Sequence, residues 1–414
     1  MDFKGLARKN NVNLSRKGSV LSTSSYGGIT TGMKLTDLME LDMPTHDKLY
    51  YQFIQGSKDA KKLYQQCNEL FNLQGNKGTK DALESLVNLS KKLTDNAYFT
   101  EAKLFNQLAS SEYQQAFQVQ EEAARVAFLF DDFKHCIELN KKALQLRLAQ
   151  GHVGGLLDGN WCNIGLAHFE MGDYNEALTA LESALSVNKH CVAAMVNMAM
   201  VQKHMGQFEK ATALLEEIIH KINPRDHAAI NNLANIMQEQ GKFEQAAVMY
   251  LQALDVEPND DDTLCNLAMV LQRINYLDFA KIAYEEGIKL NPGNKILLHN
   301  FLLFLLEIQS FDQFTKVQAH AKRVLDKAEI ENLTKLRDEY QKALGVVQVA
   351  GAVKIISQNT GGASALSDNK SSSASGNKVL KGNLKSFFGK RKEAAIKFQS
   401  SGGIEEAENE EDDG

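Results

Sequence analysis

The chain has 414 residues, of which 43% are hydrophobic and 24% charged, so it is long enough for two or three domains or for one elongated repeat array. The net charge of −6 argues against a nucleic-acid-binding fold, and the longest apolar run, 301–306, is far shorter than the roughly 20 residues of a membrane span. Only four prolines occur, which favours long uninterrupted helices.

The cysteines predict a reducing compartment. None of the five forms a CxxC pair, so they are interpreted as buried small apolar residues and not as a disulfide frame or a metal site: Cys67, Cys136, Cys162, Cys191 and Cys265. The first residues lack the apolar core of a secretion signal. We therefore expect a cytoplasmic protein with no metal and no cofactor.

The N-terminal part of the chain divides into three segments. Residues 1–45 are rich in Ser, Thr, Gly, Asn and Lys, which predicts a disordered arm. Residues 46–116 show helical periodicity and are either divergent repeats or a helical cap. Residues 117–157 are predicted to form one divergent repeat, with Phe133, Cys136 and Ala143 in repeat positions.

Four regular repeats occupy residues 158–293. Aligned segments begin at Asn163, Asn197, Asn232 and Asn266, which are 34, 35 and 34 residues apart. Each repeat has a small residue two positions later, a turn residue nine positions after the Asn, and an alanine further on: Gly165, Ala199, Ala234 and Ala268; Gly172, Gly206, Gly241 and Asn275; Ala177, Ala211, Ala246 and Ala280.

Each class of residue has a mechanical role. Small residues let two helices cross closely, and glycine supplies the left-handed turn that ends the first helix. Pro224, Pro258 and Pro292 end the second helices, because proline cannot continue the hydrogen-bond ladder. The sequence therefore predicts a stack of helix–turn–helix units.

The C-terminal part is predicted to close the stack and then lose structure. Residues 294–350 are interpreted as a degenerate repeat, with Asn300 in register, followed by a polar capping helix. Residues 351–414 are interpreted as a low-complexity tail, with a flexible linker over 357–383, then a basic segment and an acidic end. The basic segment fits RNA, an anionic membrane, an acidic cytoskeletal surface, or no partner at all.

The repeat resembles the tetratricopeptide family, whose period is about 34 residues. The residues that carry this resemblance are Trp161, Ile164, Gly165, Gly172, Tyr174, Ala177 and Ala184. It implies an all-α, right-handed superhelical solenoid with disordered tails, whose function is to bind other proteins. The Lys and Arg positions that tetratricopeptide modules use to clamp chaperone carboxylates hold Ala193 and Ala228 here, which argues against a co-chaperone.

The same resemblance implies a peptide-binding groove lined by first helices. The groove position two residues before the small residue holds asparagine in five consecutive units: Asn163, Asn197, Asn232, Asn266 and Asn300. Neighbouring groove positions are Leu166, Met200, Asn235 and Met269, whereas Met195 and Met198 are assigned to the core. The row is similar to the asparagine ladders of the O-linked N-acetylglucosamine transferase type, in which amides hold the peptide backbone. Alternatively, the amides merely hydrate the surface.

The predicted function is an adaptor that holds an extended peptide of a partner protein. The alternative is a structural subunit of a ciliary or cytoskeletal assembly, because the C-terminal order is faintly similar to subunits of Bardet–Biedl-type complexes. No nucleotide-binding, serine-hydrolase, zinc-protease or dinucleotide-binding motif occurs, and no catalytic domain follows the repeats, so no enzyme is expected. The oligomeric state and the partner's identity stay open.

Overall fold

The computed structural model describes residues 44–56, 58–73, 79–153, 157–349, 379–389 and 391. Within these ranges the chain is helical or connects helices, and no β-strand occurs, which confirms the predicted all-α fold. The predicted disordered arm, 1–45, lies outside the described residues except for its last two positions. The chain divides into unit 1, Met1–Leu214, and unit 2, Leu215–Gly414.

Unit 1 is built from helices that pair along the chain as hairpins, with odd-numbered first helices and even-numbered second helices. The helices are α1 Thr45–Gln55, α2 Ala60–Leu73, α3 Lys80–Asp95, α4 Phe99–Glu112, α5 Phe117–Leu129, α6 Phe133–Ala149, α7 Asp158–Met171, α8 Tyr174–Val187 and α9 Val192–His204. Helix α10, Phe208–Glu217, contains the division between the units. The division therefore falls inside the predicted four-repeat segment 158–293, whose limits stay a prediction.

Unit 2 continues the same alternation and adds a longer helix. Its helices are α11 His227–Glu239, α12 Phe243–Val256, α13 Asp261–Arg273, α14 Leu277–Leu290, α15 Lys295–Glu307, α16 Phe311–Ala321 and α17 Lys327–Val349. The first helices α11, α13 and α15 are neighbours in the stack. Residues 379–389 form one more helical segment.

A residue in the left-handed region ends the first helix of each regular pair, as predicted. Gly172, Gly206 and Gly241 have φ values of 84°, 74° and 75°, and Asn275 (61°) takes the same place where glycine is missing. The next residue then donates its N–H to the carbonyl five residues earlier, as from Lys242 to Met237 at 2.8 Å. This bond satisfies a carbonyl that the helix end would leave without a donor.

The same turn occurs upstream, where the sequence analysis left repeats and a cap as alternatives. Ala97 and Asp131 have φ values of 63° and 60° and are 34 residues apart. The following amides, of Tyr98 and Asp132, make the same bond to the fifth preceding carbonyl at 2.8 and 3.0 Å. The pairs α3–α4 and α5–α6 therefore turn as the regular repeats do, although neither turn contains glycine.

Close helix crossing explains the small residues. A Cβ atom placed on Gly165 would lie 2.7 Å from the Cγ atom of Leu181, which is closer than real Cβ atoms come to carbon. The equivalent Ala199, Ala234 and Ala268 are at most 1% exposed. The small positions predicted from the alignment are therefore helix-crossing positions in both units.

The core of unit 2 is aromatic. Tyr250 and Tyr284, on successive second helices, are fully buried, and the rings of Phe301 and Phe304 lie 5.4 Å from that of Tyr284. Phe314, which replaces the expected alanine of the degenerate repeat, is also fully buried. The larger side chain is accommodated because α17 packs beside α16 and closes the stack.

The one 35-residue spacing in the repeat has a local structural expression. Helix α10 continues into a π-helical turn, Ile218–Ile222, before the chain reaches α11. A π turn accommodates one additional residue in a helix without breaking it. The extra residue between Asn197 and Asn232 is therefore taken up in the second helix, and α11 resumes the repeat.

Residues 379–389 correct the prediction of a flexible linker over 357–383 followed by a solvated basic tail. Leu380, Leu384 and Phe388 are 1%, 0% and 6% exposed and belong to the core of unit 2. They are spaced four residues apart, so one face of a helix presents all three. The composition-based prediction failed because the polar residues between them hide the stripe; the remainder of 351–414, apart from Arg391, lies outside the described ranges.

Candidate peptide-binding surface

The asparagines predicted as a ladder in unit 2 stand once on each neighbouring first helix. Asn232 lies on α11, Asn266 on α13 and Asn300 on α15. Asn232 is buried, and the other two are half-buried. We call these three residues, together with Asn235, the amide row.

Asn235 is held by both a core tyrosine and a neighbouring repeat. Its Oδ1 atom lies 2.6 Å from the hydroxyl of Tyr250 and 3.4 Å from the Nδ2 atom of Asn266. The Tyr250 hydroxyl is also 2.8 Å from Oε1 of Gln238. A hydroxyl has one hydrogen to donate, so the Gln238 amide satisfies its contact by donating its NH₂ group. The Asn235 oxygen then points inward, and its NH₂ group is left toward the surface.

The other two amides are oriented by weaker contacts. Asn300 places its Nδ2 atom 3.3 Å from Sδ of Met269 and 3.5 Å from Sγ of Cys265, both on the preceding first helix. Sulfur is a weak acceptor, so these contacts position the amide without consuming its donors strongly. Asn232 donates its Nδ2 to the carbonyl of Ala228 on its own helix at 2.8 Å.

In unit 1 the two ladder positions differ from each other. Asn163 is exposed, whereas Asn197 is 3% exposed and its Nδ2 has no hydrogen-bond partner in the described part of the chain. Leu166 and Met200, predicted as groove residues, are 4% and 8% exposed, which leaves them little surface for a ligand. Their burial follows from the close packing around the small positions.

The two methionines assigned to the core are there. Met195 and Met198 are 4% and 8% exposed, and Met198 packs in a unit 1 cluster with Leu181 and Ala184. This prediction is confirmed. Met269, in contrast, is half-buried and lies beside the amide row.

Tyr250 and Gln238 are the residues that the sequence analysis missed. A signal for them exists, because Tyr284 and Gln272 repeat the pair 34 residues later, with the Tyr284 hydroxyl 3.4 Å from Oε1 of Gln272. The tyrosine reaches from the second helix across the pair to the first. It thus joins the buried core to the surface that carries the amide row.

A histidine joins the beginnings of two successive first helices in unit 2. His227 places Nε2 3.4 Å from Oδ2 of Asp260, which caps α13, and Nδ1 3.4 Å from Oε2 of Glu257. Burial lowers the pKa of His227, but the hydrogen bond to Asp260 and the charges of Asp260, Glu257 and Asp226 outweigh it. The pKa is therefore raised above its ordinary value.

The five cysteines are buried as predicted, and two of them meet in unit 1. The Sγ atoms of Cys162, on α7, and Cys191, which caps the N-terminus of α9, are 3.7 Å apart. The hydrogen bond from Cys162 and the backbone N–H of Ala194 lower the pKa of the Cys191 thiol, whereas its acceptance of that bond raises the pKa of Cys162.

The described ranges contain no group of three or more His, Cys, Asp or Glu side chains arranged to hold a metal ion. No helix within them has both the length and the apolar character that crossing a membrane requires.

Comparison with known protein families identifies the repeat. Three family models of the tetratricopeptide repeat match residues 168–234, 228–256 and 261–294. These ranges cover α8 and α11–α14 completely and reach into α7. No curated protein matches the whole sequence as a relative.

Solved structures share the helical stack at low sequence identity. Yeast Tom70 superposes with a TM-score of 0.58 at 12% identity, over 84% of this chain and 73% of that protein. A tetratricopeptide repeat protein of Parabacteroides merdae gives 0.46 at 14% identity, over 62% and 98%. The Cut9–Hcn1 complex of the APC/C gives 0.45 at 15% identity, over 66% and 51%. The likeness to Tom70 concerns the fold alone. The chain therefore contains tetratricopeptide repeats, the helical-hairpin stack through which proteins bind other proteins or peptides.

Proposed function

We propose that unit 2 holds an extended segment of a partner protein along the amide row, and that the chain acts as a non-catalytic adaptor in the cytoplasm. The observation that carries this proposal is the orientation of Asn235. Its oxygen is engaged by Tyr250 and Asn266, so its NH₂ group is presented in a fixed direction. A preoriented amide donates to a peptide carbonyl with little further loss of side-chain entropy.

The row suits the backbone of a ligand better than particular side chains. An amide offers two donors and one acceptor, which matches the alternating N–H and C=O groups of an extended peptide. One such bond contributes about 0.5–1.5 kcal/mol, so several are needed for useful affinity. The half-buried Met269 beside Asn300 adds an adaptable apolar contact. In unit 1, the exposed Asn163 is the corresponding candidate.

The test uses peptides selected from a random displayed library against the full chain. The double variant N266A/N300A removes two amides whose protein contacts are long or made to sulfur, so the fold should persist. We expect affinity for the selected peptides to fall roughly 5- to 150-fold, which is the effect of losing about 1–3 kcal/mol. Asn259, exposed in the α12–α13 loop, provides the matched control N259A.

A change in the ligand separates backbone from side-chain recognition. Replacing single backbone amides of a selected peptide by esters removes an N–H donor and weakens the carbonyl acceptor. We expect this to weaken binding to the wild type and to have less effect on N266A/N300A. Equal affinity of the wild type and the double variant, with thermal stability unchanged in both, would reject the amide row as the binding surface.

The second candidate function is a structural subunit of a ciliary or cytoskeletal assembly. It is favoured by the basic character of residues 4–34, in which every charged residue is Lys or Arg. A chain of this kind would lose incorporation into its assembly when residues 1–45 are deleted, whereas an adaptor working through the amide row would keep its peptide ligand.

A further inference from the structure

The helical segment 379–389 has the form of a ligand bound to unit 2. Leu380, Leu384 and Phe388 face the core, while Lys381 and Lys385 are exposed. Residues 350–378 separate the segment from α17, so the chain leaves the stack and returns to it. An amphipathic helix with apolar residues at i, i+4 and i+8 is the form that helices take when they bind a groove on another protein.

Its aromatic end lies on the outer side of α14. The ring of Phe388 stacks on that of Phe279, with centroids 6.0 Å apart and planes at 21°. The Phe387 ring in turn contacts Phe388 edge-on at 5.1 Å. Phe279 is therefore half-buried by residues more than a hundred positions away in the sequence.

An ionic contact fixes the end of the segment. Arg391 forms an ion pair with Glu286, two turns along α14 from Phe279. It also donates from Nη1 to the carbonyl of Pro258 at 2.6 Å, and its guanidinium lies over the Phe387 ring at 5.3 Å. Both partners of the ion pair are 19% exposed, so this contact is partly shielded from solvent.

The position that receives Phe388 is unlike its counterparts in the other repeats. Each regular second helix has a residue immediately before the conserved alanine, and in three repeats it is polar and exposed: Glu176, Lys210 and Gln245. Only in the fourth of these repeats is it aromatic, as Phe279. An aromatic residue on an otherwise polar stripe is explained by the helix that covers it.

We propose that Phe279, Glu286 and the Pro258 carbonyl form a docking site for an amphipathic helix, which the chain's own segment 379–391 fills in cis. A partner helix with the same pattern, three apolar residues four apart and an arginine three beyond, binds there only in exchange for that segment. We call these three groups the α14 site. It lies on second helices, so its test does not involve the amide row.

Tethering sets the strength of this exclusion. A ligand on the same chain acts at an effective concentration on the order of millimolar. A free helix that binds the open site with a dissociation constant of about 10–100 μM should therefore bind the closed chain roughly 10- to 100-fold more weakly. A partner must bind more tightly than the chain's own segment, or the segment must first be released.

The probe is a fluorescein-labelled peptide of residues 377–394, titrated against the full chain by fluorescence anisotropy. The variant L384D places a charge on the buried face of the chain's own segment and should open the site; N383D places the same charge on the exposed face and is the matched control. We expect the peptide to bind L384D at least tenfold more tightly than it binds the wild type or N383D. Adding F279A to L384D should abolish binding.

Three results would overturn the proposal. One is equal peptide affinity for the wild type and L384D, and another is no binding to L384D. The third is a wild-type dimer that L384D converts to a monomer, because the segment would then dock on a second copy. The charge reversal E286R should weaken peptide binding to the L384D chain, and the R391E peptide should restore it. All L384D and F279A chains must melt near the wild-type temperature.

Discussion

The hydroxyl of Tyr250, a fully buried residue, makes a 2.6 Å hydrogen bond to the side-chain oxygen of Asn235, a half-buried residue of the amide row. The bond crosses from second helix α12 to first helix α11 within one repeat. It makes the orientation of a surface amide depend on the packing of the core. A change in the core at Tyr250 should therefore be detectable at the amide row.

Replacing Tyr250 with phenylalanine tests this dependence. The variant keeps the ring but leaves Asn235 and Gln238 without the hydroxyl, and it should cost about 1 kcal/mol in the free energy of unfolding measured with urea. The matched control is Y284F, whose hydroxyl lies 3.4 Å from Gln272 and should matter less. Equal losses in the two variants would mean that the Tyr250 hydroxyl has no special role.

The glycine at a helix crossing gives a prediction with an internal control. G165A should destabilise unit 1 by about 1–3 kcal/mol, because its Cβ would overlap Leu181. G159A lies on the same helix with open space around its Cβ position, and it should stabilise the chain by up to about 1 kcal/mol. Adding L181A to G165A should recover part of the loss if steric overlap is the cause. Thermal melts of the four chains measure this.

The thiols of Cys162 and Cys191 are expected to form a disulfide with a thiol oxidant such as diamide, which takes up the two hydrogens that the thiols lose. Their sulfurs are 3.7 Å apart and must approach to about 2 Å, which side-chain rotation and a small loop shift allow. Mass spectrometry should find this pair linked and the link reversed by dithiothreitol.

Cys67 and Cys136 are the internal controls for this oxidation, because both are buried and burial raises the pKa of Cys136 to about 12. They should stay reduced under conditions that link Cys162 to Cys191. In the variant C191S no linked peptide should appear. A linked Cys162–Cys191 peptide that is absent after oxidation of the wild type would contradict the prediction.

His227 predicts a pH dependence of stability. Its pKa is raised in the folded chain above the ordinary value of 6.5, so the folded state binds the proton more tightly than the unfolded state. The resulting stabilisation is complete below about pH 6.5 and is lost as the pH rises through the folded-state pKa. In urea titrations between about pH 6 and pH 9, H227Q should lose part of the decline that the wild type shows. Parallel wild-type and H227Q profiles would mean that the ion pairs with Asp260 and Glu257 have no effect on stability.

The helix ends show how far local sequence carries. Gly172, Gly206 and Gly241 were recognised as left-handed turns, because glycine adopts positive φ without steric cost, and Asn275 was placed by register alone. Ala97 and Asp131 make the same turn but were not recognised. Their residue types disfavour positive φ, and only the packing of the helices on either side requires it.

The amide row shows the complementary limit. The alignment located Asn235 and Asn266 in successive repeats, but it did not show that they contact each other. Leu166 and Met200 had the same pattern-based status as Met269, yet they are buried and Met269 is not. Exposure depends on the neighbouring helices, and a single repeat's sequence does not contain that information.

By itself, the sequence determined the period, the helix boundaries, the small crossing residues and the asparagine at each first helix. These follow from helix geometry within about 34 residues, a range over which residue types recur in register. Tertiary structure alone decided which side chains meet across greater separations. The thiols of Cys162 and Cys191 are 29 positions apart, and Glu286 and Arg391 are 105 positions apart. No periodicity links such residues, because their contact arises only when the stack has formed and the C-terminal segment has folded back on α14.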